Sequence, residues 1–154
     1  MADFTDNSAE ILRLFEQATD NALEIMGGMI ESWAKGLCNP KGPNGNMLAG
    51  AAELRNSIEH RVQNGVLTVG SQMQIAPYVE LGTGKEYEPP PEWLEYHGSD
   101  RHSKSGLDWW IYFDPNERAF KIGKPIKAQP FLRPAFTDHA QELKSVVQGE
   151  MENA

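Results

Sequence analysis

Ile11, Phe15, Ala18, Ala22, Ile25, Met29 and Trp33 recur at steps of four and three residues, the period of a helix with one buried face. Ser8 is placed to cap that helix, and Glu10 and Glu16 lie toward its positive dipole end. Gly36 and the run Asn39-Pro40-Lys41-Gly42-Pro43-Asn44-Gly45 stop it. Within it, Gly27-Gly28 costs about 1 kcal/mol per glycine relative to alanine and marks a kink or a close packing contact. Leu48, Ala51, Leu54 and Ile58 predict a second, short helix over 47–56.

From Ser57 the period shifts to two. Ile58, His60 and Val62 share one face, and Asn64-Gly65 separates them from a run over 66–70. Asn-Gly between apolar runs predicts a hairpin, because both residues tolerate positive φ. The aromatic and β-branched run Trp109 to Phe113, then Asp114-Pro115-Asn116, then Ala119, Phe120 and Ile122 predict a second hairpin. Phe136, Ala140, Leu143 and Val147 predict a closing helix, with 149–154 as a frayed tail. The segment 85–106 has no sustained period and holds Pro89-Pro90-Pro91, which enforce an extended backbone without donors. It is expected to be a mobile loop or arm in which Trp93 and Tyr96 either fold back on the chain or pack on a partner. The expectation is one domain over 1–154.

Charge refines this outline. With 14 Lys plus Arg against 22 Asp plus Glu, the net charge of -8 opposes a general affinity for nucleic-acid phosphates. Before Lys35 seven acids face one base, Arg13, whereas Arg118, Lys121, Lys124, Lys127 and Arg133 have no acid among them. Such a chain either attracts copies of itself or carries two solvated faces. The opening residues lack the apolar core of a signal peptide, and no stretch approaches the roughly 18 apolar residues of a membrane span, so neither secretion nor insertion is expected.

Catalytic and ligand motifs give little. Gly82-Thr83-Gly84-Lys85 has Val79 and Glu86 where a phosphate loop needs Gly and Ser or Thr. His60, His97, His102, His139 and Cys38 show no zinc-type spacing, and Cys38 lacks a local motif that would lower its pKa. Glu80 has no identifiable acid or base partner. No catalytic residue, metal or cofactor is assigned.

Two segments together are specific. The first is Leu54-Arg55-Asn56-Ser57-Ile58 leading into Val69-Gly70-Ser71 and Ala76-Pro77-Tyr78-Val79-Glu80-Leu81-Gly82-Thr83-Gly84; the second is Ala128-Gln129-Pro130-Phe131-Leu132-Arg133-Pro134-Ala135-Phe136. In this order they resemble the tailed-bacteriophage neck and tail-completion family of head-tail joining proteins, over about Leu54 to Val147.

The resemblance implies an α+β fold, with N-terminal and C-terminal helices packed on a small antiparallel sheet, to which the residue pattern adds two hairpins and a long proline-containing loop that is not a hallmark of the family. It implies a non-enzymatic virion protein of the neck, made in the host cytoplasm. Its partners would be copies of itself in a ring, a head-side adaptor or stopper, and tail-side proteins. DNA would pass without specific binding, and no membrane would be involved. On this reading Gly70, Gly82 and Gly84 let the backbone turn sharply. Tyr78, Val79 and Leu81 anchor that turn on the core, and Glu80 faces a polar partner. Pro130 and Pro134 bracket a rigid lead-in to the last helix that buries Phe131, Leu132 and Phe136, while Arg133 offers a planar fork. Each of these residues can equally serve the fold alone. Two other classes stay open: a small hydrolase-like enzyme using Glu80, His60 or His139, and a nucleic-acid-binding module using the 118–133 stretch with Trp109, Trp110 and Phe120.

Overall fold

The first helix, α1, runs from Ser8 to Leu37, about 45 Å at 1.5 Å per residue. The structure is a computed structural model that describes residues 6–42, 44–83, 110–114 and 118–153. Its N-cap position is Asn7 rather than Ser8, and the polar partner at that end is Asp6, whose Oδ1 accepts the Ser8 N–H at 3.0 Å. The residues α1 buries are Ala18, Ala22, Gly27, Ile30 and Ala34. Ala18 and Ala22 are buried as predicted, but Ile11 and Phe15 ahead of them are exposed, and beyond them the stripe is rotated, leaving Ile25 exposed and Met29 and Trp33 half-buried. Small residues occupy the contact line because they let the facing backbones approach, and the larger apolar side chains flank it.

The helix expected from Met47 begins later. Lys41 pairs with Met47 in an antiparallel bridge, Gly45 (φ 77°) turns the chain, and Gly50 (φ 80°) precedes α2, Ala51–Asn56. The first hairpin forms as the alternation predicts, from β1, Ile58–Gln63, and β2, Val66–Ser71. Asn64 (φ 54°) and Gly65 (φ 71°) both take the left-handed conformation of a type I′ turn. The register pairs Ile58 with Ser71, His60 with Val69 and Val62 with Leu67 on the more buried face. α1 packs against both strands. At the open end Ser57 Oγ lies 2.6 Å from Ser71 Oγ, tying the start of one strand to the end of the other.

A short helix, α3, Ala76–Leu81, follows where a turn was expected, and Gly82 (φ 75°) ends it. The second hairpin also forms: β3, Trp110–Asp114, pairs antiparallel with β4, Ala119–Gly123, as a separate two-stranded sheet. The closing helix is two helices, α4, Leu132–Thr137, and α5, Ala140–Glu152, so residues 149–152 continue a helix instead of fraying. Phe136 is 55% exposed and Val147 37%, and Leu143 is the residue α5 buries. Trp33 of α1 stacks on His139 at the α4–α5 junction, with ring centroids 3.7 Å apart and planes 8° from parallel.

The architecture is α+β, as expected, with helices from both ends of the sequence and antiparallel hairpins. One buried cluster joins Ile30, Ala34 and Cys38 of the first helix and its end to Leu54, Ile58, Val79, Phe131, Ala135 and Leu143. Gly84, Trp93, Tyr96 and the proline-rich arm lie outside the described residues.

Candidate functional site

Helix α4 starts with backbone N–H groups that no residue of its own can satisfy. Pro130 and Pro134 carry no N–H, which leaves Phe131, Leu132 and Arg133 as three successive donors. Glu80, the fifth residue of α3, accepts all three: Oε2 takes the N–H of Phe131 at 2.7 Å and of Leu132 at 3.0 Å, and Oε1 takes that of Arg133 at 3.0 Å. The negative carboxylate also suits a helix start. The polar partner of Glu80 is therefore the protein's own backbone, 51 to 53 residues further along the chain.

Three further hydrogen bonds lace the same segments together. Gln129 N–H donates to the Val79 carbonyl at 2.8 Å, Thr83 N–H to the Ile126 carbonyl at 2.9 Å, and Ile126 N–H to Thr83 Oγ1 at 2.8 Å. The Gln129 amide turns the other way. Its Oε1 accepts from Lys41 N–H and its Nε2 donates to the Lys41 carbonyl, each at 2.7 Å, so one side chain pairs with a backbone as a strand would.

Around this seam lies an open cleft of about 340 Å³, with an apolar lining from Ala76, Pro77, Leu81 and Leu132 and with Gly70 and Arg133 at its walls. The structure thus brings together Gly70, Glu80, Leu81, Leu132 and Arg133 from the motif segments. Leu54 and Ile58 are core residues, 0% and 1% exposed, and Arg55 and Asn56 face solvent. Val79 and Phe131 are buried as predicted. Four expectations are corrected. Tyr78 is 45% exposed because α3 turns it away from the core that Val79 enters. Gly70 sits inside β2 without a positive φ, and a β-carbon there would meet nothing within 4 Å, so no sharp turn depends on it. Phe136 lies on the outer face of α4. The Arg133 guanidinium is exposed, and among the described residues its fork holds no carbonyl or carboxylate.

The titratable groups that kept an enzyme reading open have separate partners. Glu80 is committed to α4. His60, in β1, meets α1: Glu31 Oε2 lies 2.5 Å from its Nδ1 and accepts its backbone N–H at 3.1 Å, and Glu24 Oε2 lies 3.3 Å from its Nε2. Lys35 donates to Glu31 Oε1 at 2.5 Å. The Lys35 bond first, and the His60 bond after it, hold the Glu31 carboxyl down at about 2. The bond to Glu31 is the main cause that raises His60 above its ordinary value, against partial burial. His139 stacks on Trp33 and reaches Glu142 at 3.1 Å. Burial pushes the Cys38 thiol up, away from a reactive thiolate. Among the described residues no cluster of three His, Cys, Asp or Glu side chains forms a metal site, and no helix is long and apolar enough to cross a membrane.

The network of Glu24, Glu31, Lys35 and His60 was missed in the sequence. Its helical part had a signal, since Glu31 and Lys35 are four apart and Glu24 and Glu31 seven apart on one face. Its strand partner had none beyond the placement of His60 on the inward face.

No protein-family model, curated protein or solved structure matches the chain.

Proposed function

We propose that the protein is a structural component of a tailed-phage neck, a ring-forming subunit that links a head-side adaptor or stopper to tail-side proteins. The observation that carries this reading is the seam at Glu80. The described parts of the two segments on which the resemblance rests, 76–83 and 128–136, are the two sides of one hydrogen-bonded structure. Several motif residues have work there: Glu80 caps, Pro130 and Pro134 delimit the donors, Phe131 fills the core, and Gly82 turns the chain out of α3. A carboxylate spent on three backbone donors serves a scaffold. The acidic first helix and the exposed cations at Arg118, Lys124, Lys127 and Arg133 support association between copies.

Tailed particles released from cells that encode this chain, labelled with antibody raised against the purified protein, test the reading. Label at the head–tail junction is expected. Label on the capsid shell, or protein wholly outside the particles, would overturn it.

A further inference from the structure

The first helix reaches well past the core it serves. Between Ser8 and Gln17 no residue is buried, and Ile11, Leu12 and Phe15 are 51%, 63% and 51% exposed. Burial in α1 begins at Ala18, so the ten residues ahead of it, about 15 Å of helix, project from the core. Ile11 and Phe15 are four apart, with Leu12 beside them, so they form one apolar patch on one helical face. Glu10 and Glu16 adjoin it and are exposed. Such a patch is the usual key of a helix that lies in a groove.

The cleft beside α3 has the matching character. Its floor is Ala76, Pro77, Leu81 and Leu132, and Arg133 stands at its edge. Its volume of about 340 Å³ exceeds twice the roughly 150 Å³ that accommodates a benzene ring. Lys124 and Lys127, on the segment leading to Arg133, are exposed, and no acid lies between Arg118 and Arg133. No described residue of α1 lines the cleft.

We infer that the N-terminal tip of α1 in one copy docks in the α3–α4 cleft of a second copy, with Ile11 and Phe15 on the apolar floor and Glu10 and Glu16 facing Arg133 and Lys127. Charge complementarity selects a second copy as the occupant: the tip carries Asp6, Glu10, Glu16 and Asp20 against Arg13 alone, while of the two charged side chains that line the cleft Glu80 is spent on the α4 backbone and Arg133 is exposed. Because the two surfaces differ, each copy offers one tip and one cleft. Such head-to-tail contacts repeat from subunit to subunit and close into a ring when the rotation permits. The inference rests on the ring reading and names the surfaces that would build it.

Mixing full-length Phe15→Cys protein with full-length Leu81→Cys protein under mild oxidation tests the contact. Cys38 is 2% exposed and stays silent. A covalent pair containing one of each variant is expected, decreasing as salt rises, because exposed charge pairs are screened within about 8 Å at physiological ionic strength. Replacing Ile11 by Ser in the Phe15→Cys chain, at an exposed position that leaves the fold intact, should cut the yield by about tenfold or more. Links between two Phe15→Cys chains in preference to mixed pairs would mean that tips pack on tips. An internal link in a chain carrying both changes, at high dilution, would mean that the tip covers its own cleft. Either result, or the absence of mixed pairs, would overturn the inference. Absence of mixed pairs with antibody label still at the head–tail junction removes this interface alone, and absence of that label removes the neck reading whatever links form.

Discussion

Gly27 of α1 lies flat against the imidazole of His60: a β-carbon on it would stand 2.8 Å from Cγ of the ring and 2.8 Å from Cδ1 of Leu67, and closer still to Cδ2 of the ring. The ring cannot easily retreat, because Glu31 and Glu24 hold both of its nitrogens. Gly28, one residue on, has nothing within 4 Å of that position. Gly27→Ala should therefore destabilise the protein although alanine favours helix, whereas Gly28→Ala should stabilise it by up to about 1 kcal/mol. Thermal melts of the two variants check this, and a shared upward shift would contradict the close contact.

The His60–Glu31 pair gives stability a pH optimum. Glu31 falls from 4.5 to about 2, so its contribution is full above the ordinary carboxyl value and drains away as pH falls toward about 2. His60 is raised above 6.5, so its contribution is full below 6.5 and is lost as pH rises through the folded value. Both are present together between about 4.5 and 6.5. Melting temperature should peak in that interval, and His60→Gln should flatten the decline on the alkaline side. An unchanged alkaline limb in the variant would count against the pair as its source.

Glu80→Ala removes the acceptor from three backbone donors at once. The expected loss is about 1 to 3 kcal/mol, or a melting temperature lower by roughly 2 to 4 °C per kcal/mol for a chain of this size. Glu80→Gln retains one carbonyl oxygen and should fall between Ala and the parent. Amide exchange at Phe131, Leu132 and Arg133 reads the effect locally, and it should accelerate in both variants.

The two phenylalanines of the second motif segment should differ sharply. Phe131, 0% exposed, leaves a cavity when cut to alanine, at a cost of about 3 to 5 kcal/mol. Phe136, 55% exposed, should change stability by less than about 0.5 kcal/mol. Urea denaturation of Phe131→Ala and Phe136→Ala gives both values, and equal midpoints would refute the packing described for α4.

Purified protein should show no measurable binding to duplex DNA at physiological salt, since the net charge of -8 outweighs the exposed cations of the 118–133 segment. Fluorescence anisotropy with a labelled duplex tests this. Tight binding that weakens steeply with salt would favour a nucleic-acid module over a neck subunit.

Local chemistry was legible in the sequence wherever one short stretch decides the outcome. Asn64-Gly65 dictated its turn and the register of β1 with β2, and the spacing over Ile11 to Trp33 announced α1. Ala18 and Ala22 were read on the buried face, but beyond them the face is displaced by one or two positions, because large apolar residues dominate a periodicity count while close contacts there are made by Gly27 and Ala34. The break at Asp138–His139 was hidden since Phe136 and Val147 keep helical spacing while facing outward. The candidate site was half visible: its residues stood out as motifs, but a carboxylate gives no sign that its partners are backbone donors half a hundred residues away.

The sharing of one buried cluster by Ile30 and Ala34 with Phe131, Ala135 and Leu143 also sets the timing of the molecule's birth. A ribosome adding roughly 5 to 20 residues per second leaves about 5 to 20 s between the emergence of the first helix and that of the helix that covers it. For that interval the stripe from Ala18 to Ala34 has no lid from the C-terminal helices, and any apolar surface in the cell competes for it. The decisive closure of this core is thus a late event of translation, and nascent chains that stall before Leu143 are the natural clients of chaperones that shield helices.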